Sequence, residues 1–185
     1  KGDTLFLGGS FTHVASKARQ FLAAVDRNSG GVLNWNPSPD NIINSLLADS
    51  NYVYVAGAFT RIQGVAQNYL AVYGVHTLQL DMWSPLVAAN IECRELKKKG
   101  DELFFVCFDG IADYALMTIT HGGSSLKTLA RTSLTPVDKY VLVNNHAFLL
   151  GGFSTVNDSL RLLSASVDIV SGDVSPVSYT HLTLP

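Results

Sequence analysis

The stretch Val53-Tyr54-Val55-Ala56-Gly57-Ala58-Phe59-Thr60 decides how the chain is read. Moved back by 48 positions it falls on Leu5-Phe6-Leu7-Gly8-Gly9-Ser10-Phe11-Thr12, and the match continues without a gap. Gly9, Phe11, Thr12, Ala18, Leu22, Ala23, Trp35 and Pro37 meet Gly57, Phe59, Thr60, Ala66, Leu70, Ala71, Trp83 and Pro85. A shift of 142 to 143 places Gly8-Gly9 on Gly151-Gly152, and Ala23, Val25, Asp26, Ser29, Gly30 and Val32 on Ala165, Val167, Asp168, Ser171, Gly172 and Val174. Three periods of about 48 residues span that distance, which is a blade-sized repeat. The remaining copy is reduced to Leu103-Phe104-Phe105-Val106-Cys107-Phe108, without the glycines or the Trp-x-Pro.

No window has a convincing helical period, and strand signals are dense. In the second copy the expected strands are Ile42 to Ala48, Tyr52 to Phe59, Tyr69 to Gly74 and Leu78 to Trp83. Turns fall at Asp49-Ser50-Asn51, at Gly64 and at Val75-His76-Thr77. The second strands are apolar on successive residues, as strands covered on both faces are. Glycine within a strand costs stability and is kept where a bulge forms or a backbone or ring approaches closely, Trp35 and Trp83 being candidate rings. Asp26 to Gly30 and Asp168 to Gly172 read as hairpin turns in which the aspartate bonds forward. The expected fold is all-β, a partial β-propeller of nearly four blades, each a four-stranded antiparallel sheet. The blade pieces cover about 1–40, 41–88, 89–135 and 136–176, the first lacking its innermost strand.

The pattern Gly8-Gly9-Ser10-Phe11-Thr12, Phe21 to Asp26, Ser29-Gly30 and Trp35-Asn36-Pro37 resembles the delta-sixty repeat proteins, a tandem-repeat family related in blade style to kelch propellers. The resemblance is good over 4–85, partial over about 147–174 and poor over 91–135. It implies a scaffold in a larger secreted or cell-surface protein, with the remaining blades in the same chain. A non-catalytic protein that binds proteins or glycans through blade-end loops is therefore expected. The alternative is a propeller hydrolase or lyase with acidic groups converging on the channel, for which the first strands offer Asn44, Glu92 and Arg94.

Composition narrows the classes. Thirteen Lys+Arg against fifteen Asp+Glu give a net charge of −2, and charged residues are 15% of the 185, so the basic excess of a nucleic-acid binder is missing. Hydrophobic residues make up 47%, which excludes disorder, and no run reaches the roughly 18 apolar residues of a membrane helix. The five histidines have no metal-ligand spacing, and phosphate-binding glycine motifs are lacking, so no nucleotide cofactor is expected. Turn aspartates leave calcium as the one weak cofactor candidate. His121-Gly122-Gly123-Ser124 is read as a turn, and Lys97-Lys98-Lys99, amid acidic residues, as a solvated hairpin tip. Arg19 and Arg61 are expected as exposed loop contacts, and Asn157-Asp158-Ser159 is an acceptor sequon for N-glycosylation.

Cys93 and Cys107 flank the tip at Gly100. A three-residue turn there sets them opposite each other, as it does Lys98 and Glu102, and permits a cross-strand disulfide; two separate buried thiols are the alternative. Opening at Lys1 with no initiator methionine or apolar leader, the sequence reads as a piece of a longer protein. Its last residues, 177–185, resemble translated sequencing-adapter DNA and are expected to be non-native, the alternative being a native final strand.

Overall fold

A computed structural model describes residues 2–83, 92–111, 113–133 and 135–177. Every element in it is a β-strand, and every strand pairing is antiparallel. The first sheet pairs β1 (Thr4–Gly8) with β4 (Leu22–Asp26), and the small hairpin β2 (His13–Val14) and β3 (Lys17–Ala18) lies between them in sequence. The second runs β5 (Ile43–Ala48), β6 (Tyr52–Gly57), β9 (Leu70–Gly74), with the hairpin β7 (Arg61–Ile62) and β8 (Val65–Ala66) interposed. The third runs β10 (Glu92–Lys99), β11 (Glu102–Phe108), β12 (Asp113–Thr120), β13 (Lys127–Ser133). The fourth runs β14 (Val137–Val143), β15 (His146–Gly151), β18 (Ser164–Asp168), β19 (Val174–Ser175). Its interposed hairpin, β16 (Thr155–Val156) and β17 (Ser159–Leu160), joins the third sheet through Thr132 opposite Val156.

One hydrogen-bond pattern recurs in the first, second and fourth sheets. The N–H of Gly9, Gly57 and Gly151 donates to the carbonyl of Phe21, Tyr69 and Leu163 at 3.0, 3.0 and 3.1 Å. Those three residues donate back to Phe11, Phe59 and Phe153, and Arg19, Gln67 and Arg161 donate to Thr12, Thr60 and Ser154. Phe21, Tyr69 and Leu163 all have φ between +60° and +65°. The pattern sets Gly9 on Gly151, a shift of 142, where the identities at Gly8-Gly9 favour 143.

The sheets pack face to face around three apolar cores, and strand parity sorts the residues among them. On β6 and β9, Val53, Val55, Ala71 and Tyr73 meet Leu22 and Ala24 of the first sheet, while Tyr54, Ala56, Leu70 and Val72 meet the third. On β11, Leu103, Phe105 and Cys107 face back to the second sheet, while Phe104 and Val106 face forward to Tyr140 and Leu149. A strand apolar at every position thus serves two cores, and each large side chain removed from water contributes about 1.5–3 kcal/mol. Among the described residues the fourth sheet has one covered face. On its other, Val141, Val143 and Leu150 are about half exposed.

Two expected features differ. The fourth strands at Leu78–Trp83 and its counterpart shrink to single bridges, Tyr73 to Leu80 and Val25 to Val32. The chain leaves the sheet there to insert its tryptophan into the next one. The Trp35 ring meets Phe6 and Tyr73 edge-on, with centroids 5.5 and 5.0 Å apart, and its Nε1–H donates to Leu78 O at 3.1 Å; Trp83 likewise donates to Gly123 O at 2.9 Å. The third copy, degenerate in sequence, forms the longest strands. Lacking the Gly-x-Phe-Thr that turns the chain aside, β11 pairs with β12 over its whole length. Pro85 of the repeat motif and residues 178–185 of the expected tail lie outside the described residues.

Candidate functional site

The first strands β5, β10 and β14 each carry a bulge, between Ile43 and Ser45, Arg94 and Lys97, and Val137 and Lys139. A bulge turns side chains out of the sheet plane, and here it joins neighbouring sheets. Ser45 Oγ accepts from Leu96 N at 3.0 Å, and Tyr140 OH donates to Glu95 O at 2.7 Å. At this seam Asn44, Glu92 and Arg94 come together. Asn44 Nδ2 donates to Glu92 Oε2 at 3.2 Å and to Cys93 O at 3.4 Å, and Arg94 Nη1 lies 3.9 Å from Glu92 Oε1. The Arg94 guanidinium also covers the Tyr114 ring at 4.8 Å, and its Nη2 is buried without a partner. With side chains 29% and 27% exposed, the Arg94–Glu92 pair is worth under about 1 kcal/mol. The cluster holds one carboxylate and no second acid or base, so it presents polar recognition groups but no acid–base pair.

Behind it, Cys93 faces Cys107 across β10 and β11 with a Cα separation of 4.2 Å, joined by a disulfide. The tip turn is tighter than the three-residue turn expected. Lys99 pairs with Glu102 and Lys98 with Leu103, so Lys98 and Glu102 are not opposite each other. The bulge at Glu95 (φ +56°) and Leu96 takes up the offset residue and returns the register to Cys93 opposite Cys107. Sequence reasoning missed this bulge, because Glu95 is not a residue type that signals positive φ.

A groove of about 540 Å³ runs between the first two sheets, lined by Phe6, Leu7, Gly8 and Phe11 on one side and Ile43 to Leu46 on the other. Gly8 sits here because a Cβ would meet Ile43 Cγ2 at 2.7 Å. Gly57 and Gly151 have another cause. Their Cβ atoms would stand 2.2 Å from the carbonyl oxygens of Ile42 and Pro136, where the bulged first strand presses in. The close neighbour is backbone in both, not a tryptophan ring.

The remaining candidates are mostly structural. Asp26 Oδ1 accepts from Ser29 N at 2.7 Å and Asn28 N at 3.1 Å, and Asp168 Oδ1 from Val170 N and Ser171 N; the N–H of Ser29 and of Ser171 leads in holding these carboxyls below the usual range. Gly30 and Gly172 complete the turns at φ +68° and +84°. Asp40 bonds Thr60 N, Thr60 Oγ1 and Arg61 N; burial opposes its ionisation, and these donors outweigh that, so its carboxyl also lies low.

Arg19 is buried, not an exposed contact. Its guanidinium donates to Ala18 O and Leu33 O, both at 2.8 Å, clamping the β2–β3 hairpin to the bridge segment. Arg161 does the same with Leu160 O and Val174 O, and Gln67 with Leu70 O and Trp83 O. The shared role was hidden because glutamine at 67 stands where the other two have arginine. Arg61 is exposed and bonds Gly64 O.

The lysine run is no solvated tip. Lys98 pairs with Asp49 of the second sheet, Lys99 bonds Asn144 O, and Lys97 lies 5.2 Å from the Tyr140 ring centre of the fourth. His121 packs edge-on against Tyr52 at 4.3 Å and Trp83 at 4.9 Å, with Nε2 3.1 Å from Asp81 Oδ2. The sequon residue Asn157 occupies a tight turn (φ +47°), its side chain bonded to Arg131 N and Leu129 O. Among the described residues no three His, Cys, Asp or Glu side chains gather as a metal site, and no helix is long and apolar enough to cross a membrane. Comparison with family models and with curated proteins finds no match to this chain.

Proposed function

We propose that the chain is part of a non-catalytic β-propeller scaffold in a larger secreted or cell-surface protein, binding protein or glycan ligands through loops at the sheet ends. The observation that carries this reading is the stacking of successive antiparallel sheets, in which the first strands β5, β10 and β14 lie side by side and β1, the counterpart of β6 in the first sheet, lies beside β5. Sheets related in this way share both faces with neighbours and leave their connecting turns as the variable surface. The Cys93–Cys107 disulfide supports an oxidising compartment. The Asn44–Glu92–Arg94 cluster, with its single carboxylate, favours contact over catalysis.

The test is a glycan and extracellular-protein array probed with the chain and with a variant of the exposed turn residues, Arg27→Ala with Arg61→Ala. Ligand binding weakened by the substitutions supports the reading. Turnover of a polysaccharide or ester substrate that Glu92→Gln abolishes would replace it with the channel-enzyme alternative.

A further inference from the structure

A second groove, of about 580 Å³, lies where the segment following β4, the β7–β8 turn and the segment following β9 meet. Its floor is apolar: Trp35 and Pro37 are buried and Leu78 is half-buried. Its rim consists of four exposed carboxamides, Asn34, Asn36, Gln63 and Gln79, and no ionisable side chain lines it.

Hydrogen bonds fix the groove before any ligand arrives. Gln63 N donates to Pro37 O at 2.6 Å and Trp35 Nε1 to Leu78 O at 3.1 Å, so the segments on its two sides are tied together. Leu78 is kept there against the preference of its backbone. Its N–H donates to Gly74 O as those of Gly30 and Gly172 donate to Asp26 O and Asp168 O, and all three residues have φ between +56° and +84°. Glycine adopts that conformation freely in the first and fourth sheets, whereas a leucine is held in it only by its surroundings. The amides are left largely unspent. Asn36 Oδ1 accepts from Ser38 Oγ at 3.1 Å and Gln79 Nε2 approaches Thr77 O at 3.5 Å, while the side-chain amides of Asn34 and Gln63 bond no other described residue.

We propose that this groove is a binding subsite for a neutral oligosaccharide. The proposal rests on the reading of the chain as a ligand-binding scaffold and names the ligand class. A carboxamide both donates and accepts, as a sugar hydroxyl does, so a rim of amides matches a run of hydroxyls without the desolvation of any charge. The C–H face of a sugar ring is apolar and suits a floor of Trp35, Pro37 and Leu78. The volume lies in the range of sites that hold small ligands. A sulfated, sialylated or uronate chain would find no cation to receive it.

The test sets neutral gluco-, manno- and galacto-oligosaccharides beside sialylated, sulfated and uronate chains and extracellular proteins on one array. It is probed with the chain, with the groove variant Asn34→Ala plus Gln63→Ala, and with the loop variant Arg27→Ala plus Arg61→Ala. The groove variant keeps the fold, since Ala15 already holds φ +50° at the β2–β3 position where Gln63 holds +54°, and an unchanged Tm checks this. Neutral chains are expected to be retained over anionic ones. The strongest is expected to titrate saturably in isothermal calorimetry with a Kd that added salt leaves unchanged, and the groove variant to bind it at least about tenfold more weakly, the effect of two lost hydrogen bonds. Retention of no neutral chain, equal binding by the groove variant, or a loss confined to protein ligands overturns the proposal. Equal binding by the groove variant with loss in the loop variant moves the ligand to the loops and leaves the scaffold reading standing, whereas that reading falls only if neither glycans nor proteins are retained.

Discussion

Gly151 and Gly152 are adjacent, and one methyl group should separate them. A Cβ at 151 would stand 2.2 Å from Pro136 O and 3.1 Å from Asp138 N and Val137 Cα, all backbone atoms of the β14 bulge. No side chain can swing aside, so β14 must move by about an ångström, at a cost of the order of the 1–3 kcal/mol of core overpacking or somewhat more. Gly→Ala also lowers the entropy of the unfolded chain, which returns about 0.4–1 kcal/mol. The net expectation for Gly151→Ala is a loss of about 2 kcal/mol, or a Tm lower by about 4–8 °C at ~2–4 °C per kcal/mol. At 152 the nearest atom is Thr135 Cβ at 3.5 Å, an ordinary contact, so Gly152→Ala should leave Tm within about 2 °C. Gly57→Ala should follow Gly151→Ala for the same reason, while alanine already occupies position 58. Differential scanning calorimetry, with equilibrium urea unfolding followed by tryptophan fluorescence, reads both quantities. Equal losses at 151 and 152 would refute the close-approach argument.

Other outcomes follow from single contacts. Thiol titration in denaturant without reductant should find no free thiol, and Cys93→Ala with Cys107→Ala should cost about 3 kcal/mol, the loop-closure value for a separation of 14 residues; two free thiols would remove the disulfide. Trp83→Phe keeps an aromatic ring, smaller than indole, but leaves Gly123 O without its donor, and should cost at least about 1–2 kcal/mol in urea unfolding; no change would detach the tryptophan from the sheet contact. Arg19→Ala removes a buried two-carbonyl clamp and should lower stability by about 1.5–3 kcal/mol, whereas Arg61→Ala stays within about 0.5 kcal/mol. Asp26, Asp40, Asp49 and Asp168 all have carboxyls held below the ordinary aspartate value of 3.8. Their contribution is therefore complete above that value and lost as pH falls through the lower folded values, so urea midpoints should be level from neutral pH to about 5 and drop below about 4; a drop beginning near pH 6 would point to histidines instead.

The sequence by itself determined the strand content and much of the strand placement, because apolar runs such as Val53 to Ala56 and turns such as Asp26 to Gly30 are local events. Runs without alternation also announced strands buried on both faces, and the 48-residue echo tied Trp35 to Trp83. Which contacts those residues make was decided by tertiary structure. Glu95 takes a positive φ because the β10 bulge must join neighbouring sheets, and that bulge brings Cys93 to Cys107 from a turn of a different length. Arg19 looks like a surface cation until the carbonyls of Ala18 and Leu33 close on its guanidinium. Gly57 and Gly151 read as places where a backbone or a ring such as Trp35 or Trp83 comes close, and only the structure shows the neighbour to be a carbonyl oxygen on another strand. The third copy lost its markers yet forms the longest strands, since backbone pairing and two apolar faces suffice to build a sheet once it is covered on both sides. Asn44 lies 48 positions before Glu92 in the chain, and only the packing of one sheet on the next makes it a neighbour of Glu92 and Arg94.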